Sequence, residues 1–108
     1  MPDDIFERLA AAAGFEWDGG NAPKIWERHG VSQGECEQVF FAEPLVIAAD
    51  ARHSEREQRW ACWGRTLEGR LLVVIFTLRN ERIRPISARD MNRKERDRYD
   101  EAEDEANS

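Results

Sequence analysis

The feature that most constrains the fold is an uninterrupted apolar run, Leu71 to Thr77, in the middle of a charged chain of 108 residues. Turn-forming residues bound this run, with Gly69 shortly before it and Asn80 shortly after it. A Leu, Val, Ile and Phe run of this length is typical of a β-strand that is covered on both faces, or nearly so. The run is far shorter than the roughly 20 apolar residues that a membrane helix needs. We therefore expect one domain built around this strand.

The flanking segments predict the rest of a mostly antiparallel sheet of four to five strands. Strands are expected at 45–49, at 59–65 and in the segment that contains Ile83 and Ala88, with a short additional strand at 15–18. Pro85 cannot donate a hydrogen bond to a strand ladder, so the last strand should lie at an edge or carry a bulge.

Helices are predicted at 3–13, 21–29, 32–41 and about 92–105. Ser32 and Glu35 have the spacing of a capping box, and Asn92 and Glu95 have the same spacing at the start of the last predicted helix. The fold class is α+β, with the sheet packed against helices 21–29 and 32–41 and with a basic C-terminal helix. We expect an N-terminal helical extension at 1–14, the main domain at 15–100 and an acidic tail at 101–108.

Charge is distributed unevenly along a chain whose net charge is −6. Both ends are acidic, whereas residues 82–98 hold seven basic and three acidic residues. A basic segment inside an acidic protein indicates an anionic partner such as RNA, although a solvated helix face would have the same composition. The acidic N-terminus does not resemble a signal peptide, so we expect a cytoplasmic protein. Cys36 and Cys62 do not have the spacing of metal ligands, and they are expected to be reduced core residues rather than a disulfide.

Short motifs in a fixed order carry a resemblance to a known family. They are Phe15-Glu16-Trp17-Asp18, Arg28-His29-Gly30-Val31-Ser32, Gly64-Arg65, Gly69-Arg70-Leu71-Leu72, Ile83-Arg84, and Ser87 through Arg96. Together these segments resemble the BrnT family of type II toxin–antitoxin systems, over roughly residues 15–100.

The resemblance implies a compact RelE-like fold and a metal-independent ribonuclease that halts translation. It also implies a BrnA-like ribbon-helix-helix antitoxin that covers the active surface and represses the shared operon. A homodimer and a toxin–antitoxin heterotetramer are the expected assemblies. Two positions depart from the family pattern, because Asn21 stands where a lysine is common and Ile25 where an asparagine is common. If that lysine holds RNA, this member has lost it, and Lys24 would lie one helical turn along.

Cleavage of RNA without a metal needs a proton acceptor, a group that stabilises the phosphorane charge and a proton donor. His29 is the first candidate acceptor, although a histidine at a helix end can instead cap the last carbonyl groups. A glutamate or Tyr99 could serve in its place, whereas His53 is interpreted as an exposed loop residue. The predicted catalytic residues are His29, Arg59, Arg79, Arg89 and Tyr99.

A second set of residues is predicted to bind RNA, because the planar fork of arginine suits phosphate and because strand ends here are rich in cations. These residues are Lys24, Arg65, Thr77, Arg84, Arg93 and Lys94. For Arg89, the alternative is an ion pair with Glu95 or Asp90 that holds the final helix. The chain contains no H-E-x-x-H pattern, no cysteine cluster and no Gly-rich phosphate loop, so we expect no metal site and no cofactor.

Two other functional classes remain open from the sequence. The chain could be a non-catalytic RNA- or protein-binding module on the same fold, with the nuclease chemistry lost together with the lysine at position 21. It could also be an interaction domain that binds no nucleic acid.

Overall fold

A computed structural model describes residues 4–51 and 56–108 as four helices and four strands. In chain order the elements are α1 (Ile5–Ala10), α2 (Ala22–His29), α3 (Gln33–Val39), β1 (Val46–Ala49), β2 (Arg59–Arg65), β3 (Leu71–Arg79), β4 (Arg82–Asp90) and α4 (Arg93–Ala106). The predicted α+β class is confirmed. No helix in these two described ranges is both long and apolar enough to cross a membrane.

The four strands form one antiparallel sheet in the order β1-β2-β3-β4. The apolar run is β3, one of the two central strands, as the sequence predicts. A two-residue turn joins β3 to β4, and both of its residues have positive φ, 53° at Asn80 and 62° at Glu81. Positive φ at both central residues is the geometry whose twist matches that of the flanking antiparallel strands.

The short strand expected at 15–18 is absent from the sheet. Phe15 makes only an isolated parallel bridge with Ile83, supported by a hydrogen bond of 2.8 Å from the Glu16 amide to the Ile83 carbonyl. Gly14, whose φ of 138° suits glycine alone, precedes this contact. The prediction of a fifth strand is therefore wrong, because the segment leaves the edge of β4 after one pair.

β4 is an edge strand and also carries a bulge, as Pro85 predicts. Ile75 pairs with Ser87, but the next residue, Phe76, pairs with Pro85. Ile86 is thus the additional residue of β4. The bulge places the proline where the ladder does not need its missing N–H.

Helices cover both faces of the sheet. On one face α2 and α3 pack through Ile25, Cys36 and Val39 against a core that includes Cys62 and Phe76. Both cysteines are buried, free thiols. Burial on this face makes a glycine necessary in β2, because a Cβ at Gly64 would lie 2.9 Å from the Val39 carbonyl oxygen.

On the opposite face α4 packs through Tyr99, with Met91 just before the helix, against Ala61 and Val73. Met91 and Tyr99 are therefore the apolar anchors of this helix. The predicted boundary at residue 100 falls inside α4, whose distal half is tied to β2 by two hydrogen bonds from Arg65 to Glu103, of 2.8 and 3.0 Å.

The helices are slightly displaced from their predicted limits. α1 covers only Ile5–Ala10 of the expected 3–13, and residue 3 lies outside the described part. α3 ends at Val39 instead of 41, since the amides of Phe40 and Phe41 bond three residues back to Glu37 and Gln38. Such i to i−3 bonds tighten the last turn and end an α-helix.

Candidate functional site

Three rows of side chains cross the face of the sheet that carries α4. Strand register defines them: Val46, Trp63, Val73 and Arg89 form the inner row beside α4, Ala48, Ala61, Ile75 and Ser87 form the middle row, and Arg59, Thr77 and Arg84 form the outer row. The middle row has small side chains in three of its four positions, and it lies between rows that both carry arginines. We call it, with its flanking arginines, the trough.

Arg89 stands on the inner side of the trough in a three-residue network. Its guanidinium donates 2.7 and 3.0 Å hydrogen bonds to the two carboxylate oxygens of Glu95, in the first turn of α4. The Trp63 indole donates to the same carboxylate at 3.3 Å. The ion pair considered for Arg89 from the sequence is therefore present, with Glu95 as the partner. The Arg89 side chain nevertheless remains 43% exposed.

Glu95 is fully engaged as an acceptor. Hydrogen bonds from Arg89 are the largest cause of a pKa lowered to about 2, and bonds from the Asn92 amide and Trp63 act in the same direction. A carboxyl group with this pKa is ionised at neutral pH and accepts protons poorly. We interpret Glu95 as the residue that positions Arg89 rather than as a proton acceptor.

This network predicts a pH dependence of stability. Because the pKa of Glu95 is lower in the folded chain than in the unfolded one, its contribution is complete above about pH 5 and is lost as the pH falls towards 2. We expect Glu95→Gln to destabilise the protein by about 1–2 kcal/mol at pH 7, an amount discounted for solvent screening, and the deficit to shrink towards pH 2. Urea denaturation across this range measures the difference. Glu101→Gln, which removes an exposed carboxylate of the same helix, is the control, and an equal loss in both variants would contradict the prediction.

The outer side of the trough is built from arginines held by carboxylates. Arg84 is only 8% exposed and donates to Glu16 at 2.9 Å and to Asp18 at 2.9 and 3.0 Å. The bonds from Arg84 are also the main reason that the pKa of Asp18 is lowered. Thr77 is buried, and its hydroxyl donates to the Gln58 carbonyl at 2.7 Å. Both predicted RNA-binding residues therefore serve the packing of this side of the trough.

Arg59 and Arg79 lie at the same end of the sheet and share a carboxylate. Arg79 donates to Glu57 at 3.0 and 3.2 Å, and Arg59 lies 3.8 Å from the same residue. The Arg79 side chain is 44% exposed and the Arg59 side chain 28%. Unlike Arg84, these two arginines keep surface that an incoming phosphate could reach.

The other predicted residues do not belong to the three rows, although Tyr99 packs against Ala61 and Lys94 lines a groove with Ala48. His29 and Lys24 are exposed on α2, which packs on the opposite face of the sheet. Tyr99 is buried, and its hydroxyl donates to the Pro44 carbonyl. Arg93 and Lys94 are exposed in the first turn of α4, while Arg65 lies beyond α4 with Glu103. His53 lies outside the described residues.

The structure thus brings together one part of the predicted site. Arg59, Thr77 and Arg84 are in register, and Arg89 faces them from four residues further along the strands, about 13 Å away. His29 and Tyr99 do not join them.

Sequence reasoning missed Arg70, which connects four groups on the other face. It donates to Asp90 at 2.8 Å, to Glu35 at 3.1 Å, and to the carbonyl groups of Gly30 and His29 at 2.9 and 3.3 Å. These bonds hold the C-terminal end of α2 and the start of α3 to the strands. The only signal for it was its place in the Gly69-Arg70 motif.

Asn21, where the resemblance implies a lysine, has a structural role in this chain. Its side chain is 1% exposed, accepts hydrogen bonds from the amides of Asp18 and Ala22, and donates to the carbonyls of Glu16 and Pro85. A lysine has donors but no acceptor and could not make the first two of these bonds. In this chain, position 21 connects the loop before α2 to the bulge of β4.

Comparison with known proteins agrees with the resemblance carried by the motifs. No curated protein matches the chain significantly. A family model described as the ribonuclease toxin BrnT of type II toxin–antitoxin systems matches residues 17–95. The matched segment includes α2, α3, all four strands and both Arg89 and Glu95. The chain belongs to the BrnT family of ribonuclease toxins.

Proposed function

We propose that this chain is a metal-independent endoribonuclease toxin that cleaves RNA in the trough and arrests translation until an antitoxin neutralises it. The observation that carries the proposal is the row of small side chains between Arg89 on one side and Arg59 and Arg79 on the other. A shallow floor with cations on both sides admits a single-stranded backbone and places donors around its phosphates. We also propose a RelE-like arrangement of the fold and a cytoplasmic location, where the RNA substrate would be found.

In this proposal Arg89 stabilises the charge of the phosphorane. Glu95 and the Asp90 carbonyl accept three of the five N–H groups of this guanidinium, which leaves Nε–H and the second N–H of Nη2 for two phosphate oxygens. Glu95 and Trp63 keep the guanidinium in place before RNA binds, so little reorganisation is needed during the reaction. Arg93 and Lys94 on α4 attract the RNA chain and guide it towards the trough, whereas Lys24 on the other face and Arg65, paired with Glu103, remain predictions from the sequence.

Transfer of the 2′-hydroxyl proton has to take place within hydrogen-bond reach of the phosphate that Arg89 holds. Glu57 lies between Arg59 and Arg79 at the other side of the trough, about 13 Å from Arg89 along the strands, so we assign it to holding these two arginines. The deprotonated 2′-oxygen would attack the phosphorus and break the bond to the 5′-oxygen, which takes a proton from water, so the products end in a 2′,3′-cyclic phosphate and a 5′-hydroxyl. His29 and Tyr99 remain predictions from the sequence, since one lies on the other face and the other donates to a carbonyl.

The test is RNA cleavage by the purified chain in the presence of excess EDTA. We expect products that end in a 2′,3′-cyclic phosphate, growth arrest when the chain is expressed alone, and recovery when a BrnA-like antitoxin is co-expressed. Cleavage only after addition of a divalent metal would overturn metal independence. RNA binding without cleavage, with or without metal, would favour the non-catalytic binding module. Sedimentation of the co-expressed pair would distinguish a heterodimer from a heterotetramer.

A further inference from the structure

The two edges of the sheet differ in how they are protected. The β4 edge is covered by the segment before α2, through hydrogen bonds between Ala13 and Glu81, between Gly14 and Ile83, and from Asn21 to Pro85. Proline and a bulge protect it further. β1 is the opposite edge, and no segment of the described part of the chain pairs with its outer side. One edge is therefore closed and the other is open.

The hydrogen-bond pattern shows which groups of β1 point outward. The Asp50 amide donates to the Arg59 carbonyl at 2.8 Å, so Asp50 and Arg59 form a hydrogen-bonded pair of the β1–β2 ladder. Such pairs recur at every second residue, so the amide and carbonyl of Ala48 also bond to β2. The amides and carbonyls of Ile47 and Ala49 then face away from β2. They form a row of main-chain donors and acceptors ready for another strand.

The open edge lacks the features that usually prevent strand addition. Residues 45–49 read Leu-Val-Ile-Ala-Ala, without a charge, a proline or a bulge. Lysines, prolines and bulges are the common means of protecting an exposed edge. An unprotected apolar edge has the properties that suit a partner which adds a strand.

The surroundings of β1 define the chemistry of that partner. On the trough side, Val46, Ala48 and Trp63 line a groove of about 500 Å³, and the α4 residues Lys94 and Arg98 lie at its rim. Neither cation forms an ion pair with another residue of the described ranges. A strand added here would place alternate side chains below these two cations, where carboxylates would be favoured.

Beside the start of β1, on the other face, lies an apolar groove. Phe41, which is 78% exposed, and Leu45 line a groove of about 400 Å³ together with residues of α1. A side chain of the added strand that pointed to this side would meet aromatic and aliphatic groups. The two sides of the edge therefore require a strand with acidic residues on one face and apolar residues on the other.

We propose that the antitoxin adds an extended segment of this kind to β1 as a fifth strand. The inference rests on the proposed function for the identity of the partner. Ala48 belongs to the middle row, so the added strand would extend that row by one residue. Its acidic side chains would then lie beside Lys94 and Arg98. Inhibition would follow because these carboxylates occupy Lys94 and Arg98 in place of RNA phosphates.

An Ala49→Pro variant tests the proposal. Proline removes an outward N–H and places its ring on the outer edge, while the bonds of Ala48 to β2 remain. We expect binding of the co-purified antitoxin to weaken on the order of 30-fold, the scale of losing a few main-chain hydrogen bonds. Ala49→Thr keeps the N–H and is the matched control, with unchanged binding expected. Equal affinity of Ala49→Pro and the parent would overturn the proposal.

Hydrogen exchange on the parental chain gives a second readout that needs no variant. The amides of Ile47 and Ala49 should exchange fast in the free protein and slowly in the complex, whereas Ala48 should be protected in both. Exchange at Ile47 and Ala49 that stays fast in the complex would contradict strand addition. A capped peptide of about seven residues that alternates valine and glutamate should produce the same protection, and its valine–lysine counterpart should not. Equal protection by both peptides would overturn the acidic character of the partner.

The assays also separate the two proposals. A parent that fails to cleave RNA, combined with an Ala49→Pro variant that loses the antitoxin, would refute the nuclease and support strand addition. An active nuclease, combined with unchanged antitoxin binding by the Ala49→Pro variant, would support the nuclease and refute strand addition. If light scattering finds a homodimer that only Ala49→Pro dissociates, with antitoxin binding unchanged, the occupant of the edge is a second copy and the proposal is wrong.

Discussion

Arg89→Lys is expected to slow RNA cleavage about 100-fold, the scale of removing one donor that acts in the transition state. Lysine keeps the positive charge but has no planar fork, so it cannot donate to two phosphate oxygens at once. The variant should keep most of its stability, because the Arg89 side chain is 43% exposed and a pair exposed to this degree contributes about 1 kcal/mol or less. A melting curve and a cleavage time course on the same preparation measure both effects.

A structural role for Arg89 gives a different result. If the guanidinium only holds the start of α4 through Glu95, then Arg89→Lys should destabilise the chain by roughly 1–3 kcal/mol and lower the rate only in proportion to the folded fraction. Arg65 makes a similar two-bond contact with Glu103, so Arg65→Lys calibrates the stability change for such a contact. A parental cleavage rate for Arg89→Lys would end its assignment as a catalytic residue.

Gly64→Ala should be the most destabilising single-methyl substitution considered, at about 2–4 kcal/mol. A Cβ at this position of β2 would lie 2.9 Å from the Val39 carbonyl oxygen and 3.0 Å from the side chains of Val39 and Ala42. The neighbours are the main chain and buried side chain of Val39 and the half-buried Ala42, so α3 would have to move away from the sheet. Chemical denaturation of the variant measures the change.

Gly34→Ala is the matched control for this substitution. A Cβ at Gly34, in the first turn of α3, would have only the Ser32 hydroxyl within contact range, at 3.9 Å. Alanine is also a better helix former than glycine, so we expect a neutral or stabilising effect of up to about 1 kcal/mol. Destabilisation of the two variants by similar amounts would show that the close approach of β2 and α3 does not determine the loss of stability in Gly64→Ala.

The proposed antitoxin site and the proposed catalytic site share one surface for a physical reason. Both depend on the face that α4 covers incompletely, where outward main-chain groups of β1 lie next to Lys94 and Arg98, two cations without an ion-pair partner among the described residues. A partner strand at this edge needs no cleft of its own. Its carboxylates can act on the substrate surface without contacting Arg89.

Local signals in the sequence were sufficient for most of the fold. α3 and α4 begin at the predicted capping boxes, Ser32 with Glu35 and Asn92 with Glu95, since a capping box depends only on residues three apart. Pro85 indicated both the edge and the bulge, because its missing N–H has a local consequence. The segment at 15–18 was misread as a strand, since its alternation reflects one bridge to Ile83 and two carboxylates that bind Arg84.

The sequence alone also determined which residue types the site would contain, namely arginines at strand ends and a basic start to α4. Only the tertiary structure decided which of those arginines share a face and which are held by carboxylates. Arg84 meets Glu16 and Arg65 meets Glu103, pairs separated by 68 and 38 residues. Such pairs depend on strand register, and a shift of one residue would move every side chain of a strand to the other face. The bulge at Ile86 sets that register for β4, and it thereby places Arg84 and Arg89 on the same side of the sheet.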